Sequence, residues 1–172
     1  KKYDAMIITG APIETLAYEK IKYWDELKTI FEFAKKNVYS TMFICWSAQA
    51  ALYHYYKIKH KLSDWKIFGV FEFDKLKDNK IIQGFDDTFL IPTSRHTYVD
   101  IEDLEDVSDL EVLAARPETG VALATTKDNR FVFNFGHWEY DKDTLHSEYI
   151  RDLSQGKKIS PPVNYYEDND PK

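Results

Sequence analysis

An α/β domain is the fold class that this sequence predicts: three layers, a mostly parallel sheet flanked by helices, with hairpin insertions in its second half. Three observations carry that expectation. Over the first 57 residues, short apolar runs alternate with helix-period stretches; strand, helix, strand and helix in that order build parallel strands joined by crossovers. Beyond residue 65, short β-like runs follow one another at close spacing, the pattern of hairpins. A length of 172 residues, 44% of them hydrophobic, fits one domain with a real core.

The first element is YDAMIITG (3–10), a short apolar run ended by glycine, which reads as a buried parallel strand. YEKIKYWDELKTIFEFAKKN (18–37) puts Ile21, Trp24, Leu27, Ile30, Phe31 and Ala34 on one face with charges opposite. That is an amphipathic helix laid on a sheet. TMFIC (41–45) is the next strand and AQAALYHYYK (48–57) the next helix. KIFGVFEFDKL (66–76), KIIQGF (80–85), TFLIPTS (88–94) and EVLAAR (111–116) read as short strands, with KDN as a turn. VALATTKDNRFVFNFGH (121–137) reads as a hairpin closing on a buried strand. DKDTLHSEYIRDLSQGK (141–157) has an Asp-bearing cap region, helical spacing and Gly156 as a stop. Residues 1–160 are expected to form a single domain, and the polar, proline-bearing residues 161–172 a C-terminal tail. The abrupt entry into an apolar run predicts that this domain is the central part of a longer chain.

Bulk properties narrow the function classes. The net charge is −6 and the basic residues are scattered, which argues against a nucleic-acid or anionic-membrane partner. No stretch approaches the roughly 20 apolar residues of a membrane helix. One cysteine makes no internal disulfide, which fits a reducing cytoplasm. Dispersed histidines and a single thiol give no metal-ligand spacing, so neither a metal nor a bound cofactor is expected.

Two strand ends carry the chemistry. Cys45 ends an apolar, β-branched run and is followed at once by a helix pattern. A side chain at such a turn stands above the carboxyl edge of a parallel sheet, beside a helix N-terminus. There the dipole and free N–H groups lower a thiol's pKa and can hold an oxyanion. The glycines that usually flank a nucleophile elbow are absent, so on this segment alone a buried structural cysteine reads equally well. FNFGHWEYD (133–141) then presents His137 and Glu139 just beyond an apolar strand. Residues two apart at a strand end point the same way, so the carboxylate can orient the imidazole as a base toward a nucleophile. Alone, this pair reads as a surface histidine beside a solvated glutamate. Two such strand ends in one sheet tip the balance toward catalysis, because open α/β sheets collect their ligands at strand carboxyl ends.

YDAMIITGAPIE, FICWSAQAALYHYY, KIFGVFE, GFDDTFLIPTSRHT and FNFGHWEYDKDTLHSEYIRDL together resemble the homoserine O-acyltransferase family of methionine biosynthesis, in order and across essentially the whole chain. The resemblance implies a class I glutamine amidotransferase-like (flavodoxin-like) fold and a cytoplasmic enzyme with small-molecule substrates, and it leaves room for a homodimer. It implies further chain before YDAMIITG, supplying the first strands, and after NDPK. It implies ping-pong transfer in which Cys45 takes an acetyl group from acetyl-CoA as a thioester and passes it to the hydroxyl of L-homoserine. His137 and Glu139 complete the triad, and the Trp46 backbone N–H serves the oxyanion. Lys66, Ser94 and Arg151 match substrate-binding positions, Arg151 for the amino acid carboxylate, for which a planar guanidinium is well suited. Bland readings stand beside these: Lys66 as a surface charge, Ser94 as a turn residue, Arg151 paired with a glutamate on its own helix. Two positions depart from the family pattern, Thr93 where histidine is common and Trp138 where proline is common; neither removes a catalytic group, but both could reshape the amino acid pocket. Glu14 matches the position that separates acetyl users from succinyl users, and its charge would repel a succinyl carboxylate; it could equally cap the following helix. Serine O-acetylation and homoserine O-succinylation are the alternatives within this chemistry. Glutamine amide hydrolysis and a non-catalytic module are less favoured.

Overall fold

A computed structural model describes residues 1–171 of the chain. Seven strands and four helices follow in the order β1 (Tyr3–Ile8), α1 (Trp24–Asn37), β2 (Val38–Ile44), α2 (Trp46–Tyr56), β3 (Lys61–Lys75), β4 (Thr88–Tyr98), α3 (Ile101–Glu105), β5 (Leu110–Arg116), β6 (Gly120–Thr126), β7 (Phe131–Asn134) and α4 (Thr144–Ser154). All seven strands join one sheet in the order β1-β2-β7-β6-β5-β3-β4. β1, β2 and β7 run parallel, whereas the β7–β6, β6–β5, β5–β3 and β3–β4 pairs are antiparallel. Among the described residues the sheet is therefore mixed rather than mostly parallel. The short β5–β6 and β6–β7 connections and the β3–β4 hairpin turn the chain straight back, and only a longer crossover lets neighbours run parallel.

The parallel trio holds its carboxyl ends in register, Ile8 beside Phe43 and Ile44 beside Asn134. Among the described residues β1 is an edge strand with Tyr3 and Ile7 exposed, and its parallel pairing with β2 is as expected. Its apolar run is of the kind shared by buried strands, and composition alone cannot tell an edge from a centre.

α1 begins at Trp24 rather than at Tyr18. Tyr18–Lys20 form a 3₁₀ turn, and Ile21 turns extended (ψ 124°). The Tyr18 ring stacks on Tyr53 with centroids 4.5 Å apart, and its hydroxyl lies in hydrogen-bond contact with His60 Nδ1 at 2.6 Å. These contacts hold the segment out of helical register. Within α1, Trp24, Leu27, Phe31 and Ala34 are buried, while Ile30 lies at the rim, 45% exposed. KIIQGF is not a strand: Asn79 Oδ1 accepts from Ile81 N at 2.9 Å and caps a 3₁₀ turn at Lys80–Ile82 that buries Ile82.

Strand side chains alternate between the two faces. Phe43, Phe131 and Phe133 join the core beneath α1 and α2, whereas Val132 joins Ile67, Phe73, Ile91 and Leu113 on the opposite face. Phe43 is the hub of the first core: it stacks on Phe133 at 5.4 Å and meets Phe31 edge-on at 5.6 Å and Phe131 at 5.5 Å. Residues 161–171 lie along β3 through Val163, whose N–H donates to Phe68 O at 2.9 Å while its carbonyl accepts from Val70 N at 2.8 Å. No helix among the described residues is long and apolar enough to cross a membrane.

Candidate active site

The turn from β2 into α2 is built as an elbow. Cys45 is the N-cap of α2 and adopts φ 54°, ψ −118°, a conformation that costs a non-glycine residue energy unless its surroundings impose it. They do so here. Cys45 N donates to Asn134 O at 2.7 Å, tying the elbow to the end of β7. Ser47 Oγ accepts from Ile44 N at 2.8 Å and donates to Ile8 O at 2.5 Å, which ties the elbow to β1. Gly10 lets the β1 loop close over it: a Cβ there would sit 3.1 Å from Cys45 Cβ and 3.2 Å from Trp46 N.

His137 arrives from β7 through Gly136. His137 N donates to Pro92 O at 2.8 Å, and a Cβ on Gly136 would meet Ile91 Cγ2 at 2.2 Å, so glycine alone lets the chain pass this close to β4. His137 Nδ1 lies 2.6 Å from Glu139 Oε1. A ring paired through Nδ1 with a carboxylate donates that N–H and leaves Nε2 free as the base. The imidazole also stacks on Tyr140, with centroids 4.2 Å apart and an 18° interplanar angle, which fixes its plane.

Cys45, His137 and Glu139 open into one cavity of about 520 Å³ at the carboxyl ends of the parallel strands. Lys66, Ser94, Arg151 and Glu14 line the same cavity. Trp46 is different: its side chain lies in the core, 2% exposed, and its contribution is the backbone N–H turned to the thiol. Neither Thr93 nor Trp138 is among the lining residues. Thr93 is buried and donates to Ile91 O at 3.3 Å, and Trp138 packs on Phe85. Both departures therefore sit one residue from a lining residue, Ser94 and His137, without lining the cavity themselves.

The bland readings of Lys66, Ser94, Arg151 and Glu14 do not hold as stated. Lys66 is mostly buried, with its Nζ 3.2 Å from Asp152 Oδ2. Arg151 pairs with the adjacent Asp152, at 3.0 Å through Nε and 2.9 Å through Nη2, not with a glutamate of its helix. Ser94 sits within β4 and donates through Oγ to Glu148 Oε2 at 2.6 Å. Glu14 caps no helix; its Oε1 accepts from His96 N at 2.8 Å, which pins the loop after β1 to β4.

Tyr140, Glu148, Asp152 and Lys157 also line the site without being singled out by the sequence reading, as do His96, Thr9 and Thr15. Glu148 receives both Ser94 Oγ and the Tyr140 hydroxyl. Asp152, almost fully buried, holds Lys66, Arg151 and Lys157 together, the last at 3.0 Å. Burial alone would raise the Asp152 carboxyl, but hydrogen bonds from the three cations bring it down to about 2. The spacing of Glu148, Arg151 and Asp152 at i, i+3 and i+4 was the available signal, since it puts all three on one face of α4.

The thiol corrects an expectation. Burial, and after it the Glu14 carboxylate, push Cys45 up to about 12; Arg95 and the Trp46 N–H pull the other way. The helix N-terminus is present, but desolvation outweighs it. Cys45 therefore rests as a thiol and needs a base to ionise. Among the described residues no group of His, Cys, Asp and Glu side chains is arranged to hold a metal ion.

The chain is similar to known proteins in two ways. A family model for homoserine O-succinyltransferases matches residues 1–172. Homoserine O-acetyltransferase 1 of Ilyobacter polytropus is 51% identical over 172 residues, covering 99% of this chain and 57% of the relative. Homoserine O-acetyltransferase of Petrotoga mobilis is 49% identical over 173 residues, covering 100% and 56%. The chain thus spans a little over half the length of these curated relatives. Among solved structures, a glutamine amidotransferase from Thermotoga maritima superposes with a TM-score of 0.71 at 17% identity, covering 90% of this chain and 66% of that one. A glutamine amidotransferase from Methylobacillus flagellatus gives 0.65 at 8%, covering 88% and 58%. At such identities the likeness is one of fold, a glutamine amidotransferase-like α/β sheet with flanking helices.

Proposed function

The chain belongs to the homoserine O-succinyltransferase family, and from that premise we propose that it carries the catalytic centre of a homoserine O-acetyltransferase. The observation that carries the reading is the convergence of an elbow-strained Cys45 and a Glu139-oriented His137 on one cavity. In the first half-reaction His137 Nε2 takes the thiol proton as Sγ attacks the thioester carbonyl of acetyl-CoA. The tetrahedral oxyanion is met by the Trp46 N–H. Its collapse breaks the C–S bond to coenzyme A, whose thiolate receives the proton from His137, and leaves Cys45 acetylated. In the second half-reaction His137 takes the proton of the homoserine hydroxyl, the oxygen attacks the acyl-cysteine, and the proton returns to Sγ as O-acetylhomoserine leaves. Because the resting thiol titrates high, both steps need the histidine.

Arg151 meets the acceptor's carboxylate with the donors that Asp152 leaves unused, and Lys66 and Ser94 complete its pocket. Glu14 closes the acyl pocket against a second carboxylate, which disfavours succinyl-CoA. Acetyl-CoA is a co-substrate here, not a resident cofactor. A free catalytic thiol is best kept in a reducing compartment, so we place the reaction in the cytoplasm.

Intact mass of the whole protein after incubation with acetyl-CoA tests the reading. One acetyl group is expected on the wild type and none on Cys45→Ser, and L-homoserine should discharge it. Discharge by L-serine instead would change the acceptor, a larger adduct from succinyl-CoA would change the donor, and no adduct at all would overturn the covalent route.

A further inference from the structure

The C-terminus of α4 is closed by a glycine turn. Gly156 takes φ 72°, with open space where a Cβ would stand. Its N–H donates to Leu153 O at 2.9 Å, and Lys157 N donates to Asp152 O at 3.1 Å. That pair of bonds is the Schellman motif, which folds the chain back over the helix end and sets the residue after the glycine against the one five positions before it. The side-chain contact between those two positions is ordinarily apolar. Here it joins Lys157 Nζ to Asp152 Oδ1 at 3.0 Å, so the turn carries an ammonium where a hydrophobic side chain is usual.

That ammonium completes an unbalanced cluster. Asp152 Oδ1 takes both Lys157 Nζ and the Arg151 guanidinium, the latter at 2.9 Å from Nη2, while Oδ2 takes Lys66 Nζ at 3.2 Å. Three cations share one buried carboxylate, which leaves positive charge in excess on the wall of the cavity that all four residues line. The other carboxylates there are engaged elsewhere: Glu139 with His137, Glu148 with Ser94 and Tyr140, Glu14 with the His96 N–H. Among the described residues none of them pairs with Lys66, Arg151 or Lys157. Lys66 is mostly buried, so the excess is presented by the half-exposed Arg151 and Lys157. Closing a helix needs no such surplus, whereas binding an anion does.

We propose that Lys157 is a specificity-determining residue of the acceptor site: with Arg151 it forms a two-cation cradle for the carboxylate of the amino acid, and the turn at Gly156 is what places it there. Both cations hold the same Asp152 oxygen, so their unused donors lie side by side, suited to the two oxygens of one carboxylate. The inference rests on the reading of Arg151 as the residue that meets the acceptor, and not on the covalent route through Cys45. The phosphates of the acyl donor offer the same anionic chemistry, and the test separates the two sources.

Calorimetric titration of L-homoserine, L-serine, L-homoserine amide and coenzyme A into the whole protein reads binding without turnover. Lys157→Met should weaken binding of the amino acid by about 3- to 10-fold and leave the affinities for the amide and for coenzyme A unchanged. Lys157→Arg should restore most of the loss, and thermal melts identify the folded variants. Unchanged amino acid binding in folded Lys157→Met overturns the proposal. So does an equal weakening for the amide, which would mark a structural lysine, or a weakening for coenzyme A alone, which would give the turn to the donor's phosphates. A wild-type protein that binds neither amino acid overturns it as well. Failure of the acyl-transfer reading shows separately, as the absence of an acetyl adduct on a protein whose amino acid binding still depends on Lys157.

Discussion

At the scale of single side chains, the contact on which the proposed mechanism depends most is the 2.6 Å pair between His137 and Glu139. Glu139→Gln keeps the shape but lets the ring adopt the wrong tautomer, so kcat should fall roughly 10²- to 10⁴-fold with little change in thermal midpoint; steady-state kinetics beside a melt checks both halves. Glu14→Gly removes a carboxylate and opens volume, and relative use of succinyl-CoA over acetyl-CoA should rise about 10- to 10³-fold, read by competition between the two donors. At this scale the sequence was informative where function is local. Cys45 sits at a strand–helix junction, and His137 and Glu139 are two residues apart, so the chain itself brings the chemistry together. The spacing of Glu148 and Asp152 on α4 signalled a shared face, but Ser94, Lys66 and Thr119, which meet Glu148, Asp152 and Arg95, come from distant segments and were not legible. Nor was the state of the thiol, since the burial that raises it is a property of the folded environment and not of the residues beside Cys45.

The elements act as carriers of these groups. α4 brings Glu148, Arg151 and Asp152 to the cavity together, and Asp152 organises its cations from within. The Asp152 carboxyl is held at about 2 against an ordinary value of 3.8. A depressed carboxyl contributes stability that is fully present above the ordinary value and is lost as pH falls through the depressed one. Urea midpoints should therefore decline between about pH 4 and pH 2, and Asp152→Asn should flatten that decline while lowering stability at neutral pH by about 2 kcal/mol. Element boundaries were the less legible part. The helix pattern over 18–37 was real, yet Tyr18 left it for an aromatic pocket formed with Tyr53 and His60. The apolar run at 80–85 became a capped turn because Asn79 offered the backbone an alternative to a strand.

Across the whole molecule, one aromatic core joins the strands that lead to Cys45 and His137. Phe43 precedes Cys45 by two residues, and Phe133 precedes His137 by four; their rings stack directly. Phe43→Ala should cost about 3–5 kcal/mol in denaturant unfolding and should lower activity in the fraction that stays folded, since the two strand ends lose their common support. The α/β class was readable from element order. The mixed sheet was not, because strand direction depends on which neighbours pair, and the pairings of β2 with β7 and of β3 with β5 join segments far apart in the chain.

The cluster around Asp152 has the make-up of an ion exchanger, one buried carboxylate among three cations. Its carboxylate is fixed and buried, while Arg151 and Lys157 are each about half exposed, at 54% and 55%, and hold their remaining donors toward water. A mobile anion can trade places with that water without dislodging the resident one. If Arg151 holds the acceptor as proposed, buffer anions and the acceptor's carboxylate compete for the same donors. The apparent KM for an amino acid acceptor should climb as sulfate replaces chloride at constant ionic strength, and an acceptor analogue with its carboxylate amidated should be indifferent to the swap.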